Sequence, residues 1–389
     1  MRLIHTADWH LGRRLKGVDR TPEIEHALSC LLNDAIDLQA DAVLVAGDLF
    51  DVPNPTAEAE RVAWSFFHEL GRAGIPAVVI AGNHDSASRL DGVSSLLELA
   101  NVHALGRVRT AEGGGVVAVE TKNGGLRVGA LPFASERRLL SADDLWQKDD
   151  TEQRQTYRET MAWLMRDLAS GFGDDTVNVL MAHVALDGAT LSHSEAPFYT
   201  TGGYCLSEDT LPGAAQYVAL GHIHKPQRIP SAAPAYYSGS LIQVDFGEAE
   251  EEKGYNLITV EPGRPATVEF RALPCARPLK VVRCDGKALE ETLEAHRAHV
   301  GWLKVIVTLE APELGLGDRV RQLCPQALMV EPRYPEKRVT AAAQAAAVEK
   351  LAPKEAYLRY YQERFDREPG DAVMQAFAAM YEELSHAAL

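Results

Sequence analysis

Seven residues in five short clusters carry side chains that hold hard divalent cations: Asp8 and His10, Asp48, Asn83, His183, and His222 with His224. Each cluster follows an apolar run: Leu3-Ile4, Ala42 to Val45, Val78 to Ile80, Val177 to Met181, and Tyr217 to Leu220. Two divalent ions roughly 3.5–4 Å apart activate water and stabilise both oxygens of an in-line phosphoryl displacement, and they need oxygen ligands, imidazoles and a bridging carboxylate. Asp48 stands just past an apolar run, where open α/β sheets place their ligands, and is the carboxylate expected between two ions. Neutral imidazole suits manganese, iron and zinc, while carboxylate and amide oxygens suit manganese and magnesium. The mixture favours two Mn²⁺, with Mg²⁺ or other divalent ions as weaker substitutes. No cysteine lies in any cluster, which argues against a soft metal. His84 adjoins Asn83 and is expected to stabilise the scissile phosphate or protonate the leaving oxygen. Asp85 is expected to accept a proton from the other nitrogen of that ring and so orient it. Arg13, Arg14, Lys16 and Arg89 adjoin the clusters and are candidates for contacts with substrate phosphates, which guanidinium forks suit well.

A single histidine after a strand is most often structural. Five clusters in succession, each behind an apolar strand, are a different matter. The elements that carry them read as an α/β core. Helices are expected over 23–38, over 56–70 with Thr56 as N-cap, and over 93–100. Val116 to Thr121 and Leu126 to Leu131 flank Lys122-Asn123-Gly124-Gly125, a hairpin signal. A helical segment over 153–168 follows, and Tyr236 to Ser240 with Tyr255 to Val260 read as closing strands of a second sheet. Pro274 to Pro278 marks a domain boundary, and Pro332 and Pro335 mark another. The expected domains are 1–275, carrying the clusters, 279–335, a small α/β module, and 340–389, a helical tail. That tail opens on an Ala-rich stretch (341–347). Tyr357, Tyr361 and Phe365 share one face of its first helix, and Val373, Phe377, Met380, Tyr381 and Leu384 share one face of its second.

Composition narrows the function only broadly. At 389 residues, with 46% apolar and 24% charged side chains, the chain is ordinary for a globular protein. No apolar run approaches the roughly 18 residues of a membrane span, and the first strand begins without a signal-peptide core, so a cytoplasmic protein with no membrane attachment is expected. The five cysteines are scattered, with no CxxC pair. A net charge of −16 opposes non-specific adhesion to nucleic acid but not a metal-neutralised cleft. His5 reads as a core or supporting group. His26, His68, His103, His296, His299 and His386 read as surface or packing residues, His193 stays open, and Glu248 to Glu252 reads as a solvated acidic loop.

The words Asp8-Trp9-His10, Gly47-Asp48-Leu49-Phe50-Asp51, Gly82-Asn83-His84-Asp85, His183 and Gly221-His222-Ile223-His224 resemble those of calcineurin-like metallophosphoesterases. Within them, Ile4 to Gly12, Gly82 to Leu90 and Ala219 to Pro226 resemble the SbcD family, nuclease subunits of bacterial SbcC–SbcD DNA-repair complexes. The resemblance implies a two-sheet α/β sandwich flanked by helices, with a small α/β capping domain and a C-terminal helical segment. It implies that Asp8, His10, Asp48 and His224 hold one ion, that Asp48, Asn83, His183 and His222 hold the other, and that His84 is the catalytic histidine. It further implies a manganese-dependent double-strand exonuclease and single-strand or hairpin endonuclease acting at DNA ends and hairpins, associated with the nucleoid when at work. The capping domain would face DNA, the tail would dock on the coiled-coil base of an SbcC-type ATPase, and helices 56–70 and 91–100 would form a homodimer. Archaeal and eukaryotic relatives have a histidine where this chain has Asp51, which is expected to support the loop or a metal-bound water. Phosphoprotein phosphatases of the superfamily instead carry Asp-Arg-Gly after the second motif and Gly-Asn-His-Glu at the third, neither of which appears here. An inactive scaffold would have lost a ligand, and none is missing.

Overall fold

The apolar runs ahead of the clusters become inner strands of two facing six-stranded sheets. The structure, a computed structural model, describes residues 1–139, 148–192, 194–195, 205–334 and 353–387; His193, Pro335 and the Ala-rich stretch 341–347 lie outside the described residues, as does the side chain of Leu384. The first strands are β1 (Arg2–Thr6), the short pair β2 (Arg14–Leu15) and β3 (Val18–Asp19), β4 (Ala42–Val45), β5 (Ala77–Ile80) and β6 (Val102–Leu105). They continue with β7 (Val116–Thr121), β8 (Gly124–Leu131), β9 (Val177–His183), β10 (Tyr217–Gly221), β11 (Gln227–Ile229), β12 (Ala235–Tyr237), β13 (Gly254–Thr259) and β14 (Thr267–Ala272). One sheet has the order β14-β13-β1-β4-β5-β6, the other β11-β12-β10-β9-β8-β7. Within them β1-β4-β5-β6 and β12-β10-β9-β8 are parallel.

Parallel strands covered on both faces are apolar on both faces. Accordingly Leu3, Ala42, Leu44, Val78 and Ile80 meet Val128, Val179, Met181 and Ala219 between the sheets. Ile4, Val43, Val45 and Val79 face the other way, onto helices α1 (Thr21–Asp37) and α2 (Ala57–Arg72). On the far side of the second sheet, α5 (Asp150–Ser170), which follows the single turn α4 (Glu136–Leu139), packs Tyr157, Met161, Leu164, Met165 and Leu168. Thr56 caps α2 by accepting from the Ala59 N–H at 3.2 Å. Helix α3 (Ala87–Glu98) begins earlier than its apolar spacing suggests, because Ser86 caps it immediately behind the Asn83–Asp85 turn.

Two expectations need correction. Tyr255 to Val260 does not close the second sheet: β13 lies antiparallel to β1 in the first, with Ile4 opposite Leu257. Apolar spacing reports burial, whereas the neighbouring strand is set by a contact some 250 residues away in the chain. The wide apolar stripe of α2 is not a free dimerisation face either, since Val62, Phe66, Phe67 and Leu70 are buried with Trp9 in the core. The outward apolar side chains in this region are Leu96 of α3 and the following Leu99, 68% and 86% exposed.

The chain divides into two compact units, Met1–Leu279 and Lys280–Leu389. The second contains a three-stranded sheet of β15 (Leu279–Asp285), β16 (Trp302–Thr308) and β17 (Ala327–Arg333), with β16 and β17 parallel. Helices α6 (Leu289–Glu294) and α7 (Leu316–Leu323) bury Leu293 and Val320 against it. Two further helices, α8 (Pro353–Phe365) and α9 (Asp371–Ala387), complete the unit. Tyr357 stacks on Phe377 with ring centres 4.2 Å apart, Phe365 meets Tyr334 edge to face, and Tyr361 is buried. The two apolar stripes are thus partly spent on each other, while Met380 and Tyr381 stay exposed.

Candidate metal centre

The loops after β1 and β4 run side by side, held by Asp8 N–H to Gly47 O (3.0 Å), His10 N–H to Asp48 O (3.1 Å) and Leu11 N–H to Leu49 O (2.9 Å). Strands β9 and β10 of the facing sheet bring His183, His222 and His224 against them. Four of the converging residues, Asp8, His10, Asp48 and His222, have positive φ (52°, 50°, 52° and 98°). Left-handed backbone costs a non-glycine residue on the order of 1–3 kcal/mol and marks functional sites. Space is equally constrained: a Cβ on Gly82 would lie 2.0 Å from Asp48 Oδ1, and one on Gly47 2.2 Å from His183 Nδ1.

The polar atoms converge in two sets. On one side His10 Nε2 and His224 Nε2 are 3.0 Å apart, with Asp48 Oδ2 3.8 Å from His10 Nε2. On the other, Asn83 Oδ1 lies 3.0 Å from His183 Nε2 and 2.7 Å from His222 Nδ1, and Asp48 Oδ2 is 3.5 Å from His183 Nε2. The ligand atoms of Asp8, His10 and His224 lie within 4.8 Å of one another, as do those of Asp8, Asp48 and His183, and those of His10, Asp48 and His84. Asp8 also accepts the His222 N–H at 3.0 Å, which ties the two sheets together at the centre.

Burial makes these groups costly without a cation. It raises the Asp8 carboxyl to about 6, partly countered by His183 and His224. It lowers the His10 imidazole to about 4, with Asp51 opposing, and holds His222 well below the usual histidine range. Burial opposes ionisation of Asp48 too, but the facing His183 and His10 hold it well below the usual carboxylate range. Burial likewise works against charge on His183, yet Asp48 beside it lifts the ring to about 9. Buried carboxylates and imidazoles with facing lone pairs fit divalent cations, and the oxygen–nitrogen set without sulfur excludes a thiolate site.

His84 donates its Nδ1–H to Asp51 O at 2.8 Å, and its backbone N–H binds Asp48 Oδ1 at 2.8 Å. The expected role of Asp85 is therefore corrected. Its carboxylate is occupied by the N–H groups of Gly82 (2.9 Å), Phe50 (3.0 Å) and Leu49 (3.2 Å), so it clamps two loops and does not orient His84. Asp51 turns instead to His10 Nδ1 (3.5 Å) and Arg13 (3.1 Å). Arg14 donates to Gly17 O at 2.6 Å, Arg89 pairs with Glu60 at 2.8 Å, and Lys16 lies at the exposed turn between β2 and β3. His5 is buried, with Nδ1 2.8 Å from the Tyr217 hydroxyl.

Sequence reasoning missed one group outright. The run Glu248 to Glu252 is not wholly solvated: Glu248 is fully buried, with Oε1 3.0 Å from His224 Nδ1. Lys253, also buried, pairs with Glu248 (2.8 Å) and Glu251 (2.8 Å) and donates to His224 O (2.8 Å). A lone lysine closing an acidic run was the available signal.

Residues 1–226 match the family described as Calcineurin-like phosphoesterase, the class that this sandwich and its carboxylate–imidazole centre define. Residues 275–365 match the Type 5 capsule protein repressor C-terminal domain. The chain is 34% identical to the SbcD subunit of the nuclease SbcCD from Bacillus subtilis, over 87% of both chains. It is 30% identical to the SbcD subunit of Staphylococcus epidermidis over 73% of both chains, and 27% identical to that of Escherichia coli K12 over 92% of both. The chain belongs to this SbcD family of calcineurin-like phosphoesterases.

Proposed function

We infer that the chain is a metal-dependent DNA nuclease, the phosphodiesterase subunit of an SbcCD-type complex. The observation that carries this is the placement of Asp48 between the His10–His224 and Asn83–His183–His222 sets, in a chain of this family. In this reading Asp8, His10, Asp48 and His224 hold one divalent ion, and Asp48, Asn83, His183 and His222 hold the other. The donor set favours two Mn²⁺, with Mg²⁺ a weaker substitute. When bound, two such ions supply Lewis acidity for in-line attack of water on a phosphodiester.

The chain's own residues do the rest. The His183 Nδ1–H is fixed on Ala46 O at 2.8 Å, which leaves the Nε2 lone pair to the centre. His84, with Nδ1–H held by the Asp51 carbonyl, keeps Nε2 for the substrate, where it holds the proton for the leaving oxygen. Lys16 is proposed to meet DNA phosphates from its exposed turn, with Arg13, Arg14 and Arg89 joining it on leaving Asp51, Gly17 and Glu60.

The substrates proposed are DNA ends and hairpins, cut by double-strand exonuclease and single-strand endonuclease action at the nucleoid. Residues 279–335 serve as the DNA-capping module, and 340–389 dock an SbcC-type coiled-coil ATPase. Homodimerisation is proposed through the 56–70 and 91–100 region, with Leu96 and Leu99 as its outward apolar groups. No helix among the described residues is long and apolar enough to cross a membrane. The test is cleavage of a labelled DNA hairpin with Mn²⁺ beside a phosphomonoester control. Hydrolysis of the monoester without DNA cleavage would overturn the nuclease reading.

A further inference from the structure

The two halves of the centre are supported unequally. On the Asp8–His10–His224 side, His224 has a hydrogen-bonded carboxylate behind it, Glu248 at 3.0 Å from Nδ1, whereas His10 Nδ1 makes no hydrogen bond among the described residues and has only the charge of Asp51 at 3.5 Å. Glu248 is exposed to no solvent, and its Oε2 takes the Val244 N–H (3.0 Å), the Ser240 hydroxyl (3.3 Å) and Lys253 (2.8 Å). The Ser194 hydroxyl bridges Glu248 and His224 Nδ1, and Glu195 accepts the His224 N–H at 3.0 Å. This is a built anion: burial disfavours its charge, but the bonds from His224 and Lys253 hold the Glu248 carboxyl far below the usual carboxylate range. On the other side, His183 leans on a neutral backbone carbonyl, Asn83 carries no charge, and His222 Nε2 has no hydrogen-bond partner among the described residues.

An imidazole that donates to a carboxylate is a more basic ligand than one that donates to an amide, and loss of such a partner costs about 10–100-fold in metal affinity. We propose that Glu248, held in place by Lys253, is a positioning residue that makes the Asp8–His10–His224 position the tighter of the two, so that the ions load in a fixed order. The proposal rests on the dinuclear reading above and adds the inequality of the positions. It also separates Glu248 from an ion pair that merely braces the segment between β12 and β13, which would serve both positions alike.

The experiment is calorimetric titration of Mn²⁺ into the metal-stripped full-length chain. The parent should show two unequal binding events. Glu248→Gln should weaken the tighter event about 10–100-fold, leave the weaker within about threefold, and be partly rescued by Glu248→Asp. Removing one member of a buried pair strands the other's charge, so Glu248→Gln/Lys253→Gln is titrated alongside to secure a folded protein. Equal weakening of both events, or no change in the tighter one, overturns the proposal. Two equal events in the parent overturn this proposal and leave the dinuclear reading standing, whereas fewer than two bound ions overturn the dinuclear reading and this proposal with it.

Discussion

Asp48 is the residue proposed to bridge the two halves of the centre, and its Oδ2 lies 3.8 Å from His10 Nε2 and 3.5 Å from His183 Nε2. Asp48→Ala should therefore release both ions rather than one, read as metal content of the purified variant; normal stoichiometry would contradict the bridging role. His84 is different, because its imidazole is anchored by the Asp51 carbonyl at the edge of the ligand set. His84→Gln should keep both metals and DNA affinity yet lose on the order of 10²–10⁴ in cleavage rate. Turnover equal to the parent at saturating Mn²⁺ would refute it. A pH effect follows from His183, whose ring burial depresses but Asp48 lifts to about 9 in the metal-free protein. A ligand must shed its proton to bind, so the proton competes with the metal at any pH below that value. Apparent Mn²⁺ affinity should rise about tenfold per pH unit between pH 7 and 9 for this one proton, with proton release visible as a dependence of binding heat on the buffer.

The elements place these side chains by ending abruptly, and glycines at the strand exits let the loops approach. Gly82→Ala tests this, because its Cβ would come within 2.0 Å of Asp48 Oδ1 and within 2.4 Å of Asp48 N, part of a backbone that cannot swing aside. We expect normal helix content but reduced metal stoichiometry, and full occupancy would show that the loops have slack. Such strand ends are legible in a sequence: an apolar run followed at once by Asp, Asn or His signals the sheet, the helix behind it and the ligand together. The seven ligand candidates, the Thr56 cap and the two helices after β1 and β4 were readable for that reason. What was not readable depended on distant partners. The place of β13 is decided by β1, the inward turn of Glu248 by His224 and Lys253, and the clamp made by Asp85 by three N–H groups on two loops. A carboxylate in an acidic run looks the same on paper whether it faces water or a histidine.

For the whole molecule, the last helices supply the surface proposed for an SbcC-type partner. Met380 and Tyr381 remain 63% and 47% exposed while Tyr357 and Phe377 stack beneath the same helices. Burying one large apolar side chain is worth about 1.5–3 kcal/mol, so Met380→Asp/Tyr381→Asp should abolish co-purification with an SbcC-type ATPase. Mn²⁺-dependent cleavage by the isolated chain should persist; retained co-purification would place the dock elsewhere. The insertion of β13 between β14 and β1 has a different consequence, one of timing. A ribosome that has released 226 residues has delivered all seven ligand candidates, but β1 still lacks the neighbour on its open side, and His224 lacks Glu248 and Lys253. At roughly 5–20 residues per second the missing stretch follows within seconds, and until then the nascent chain holds the parts of a nuclease without the frame that aligns them.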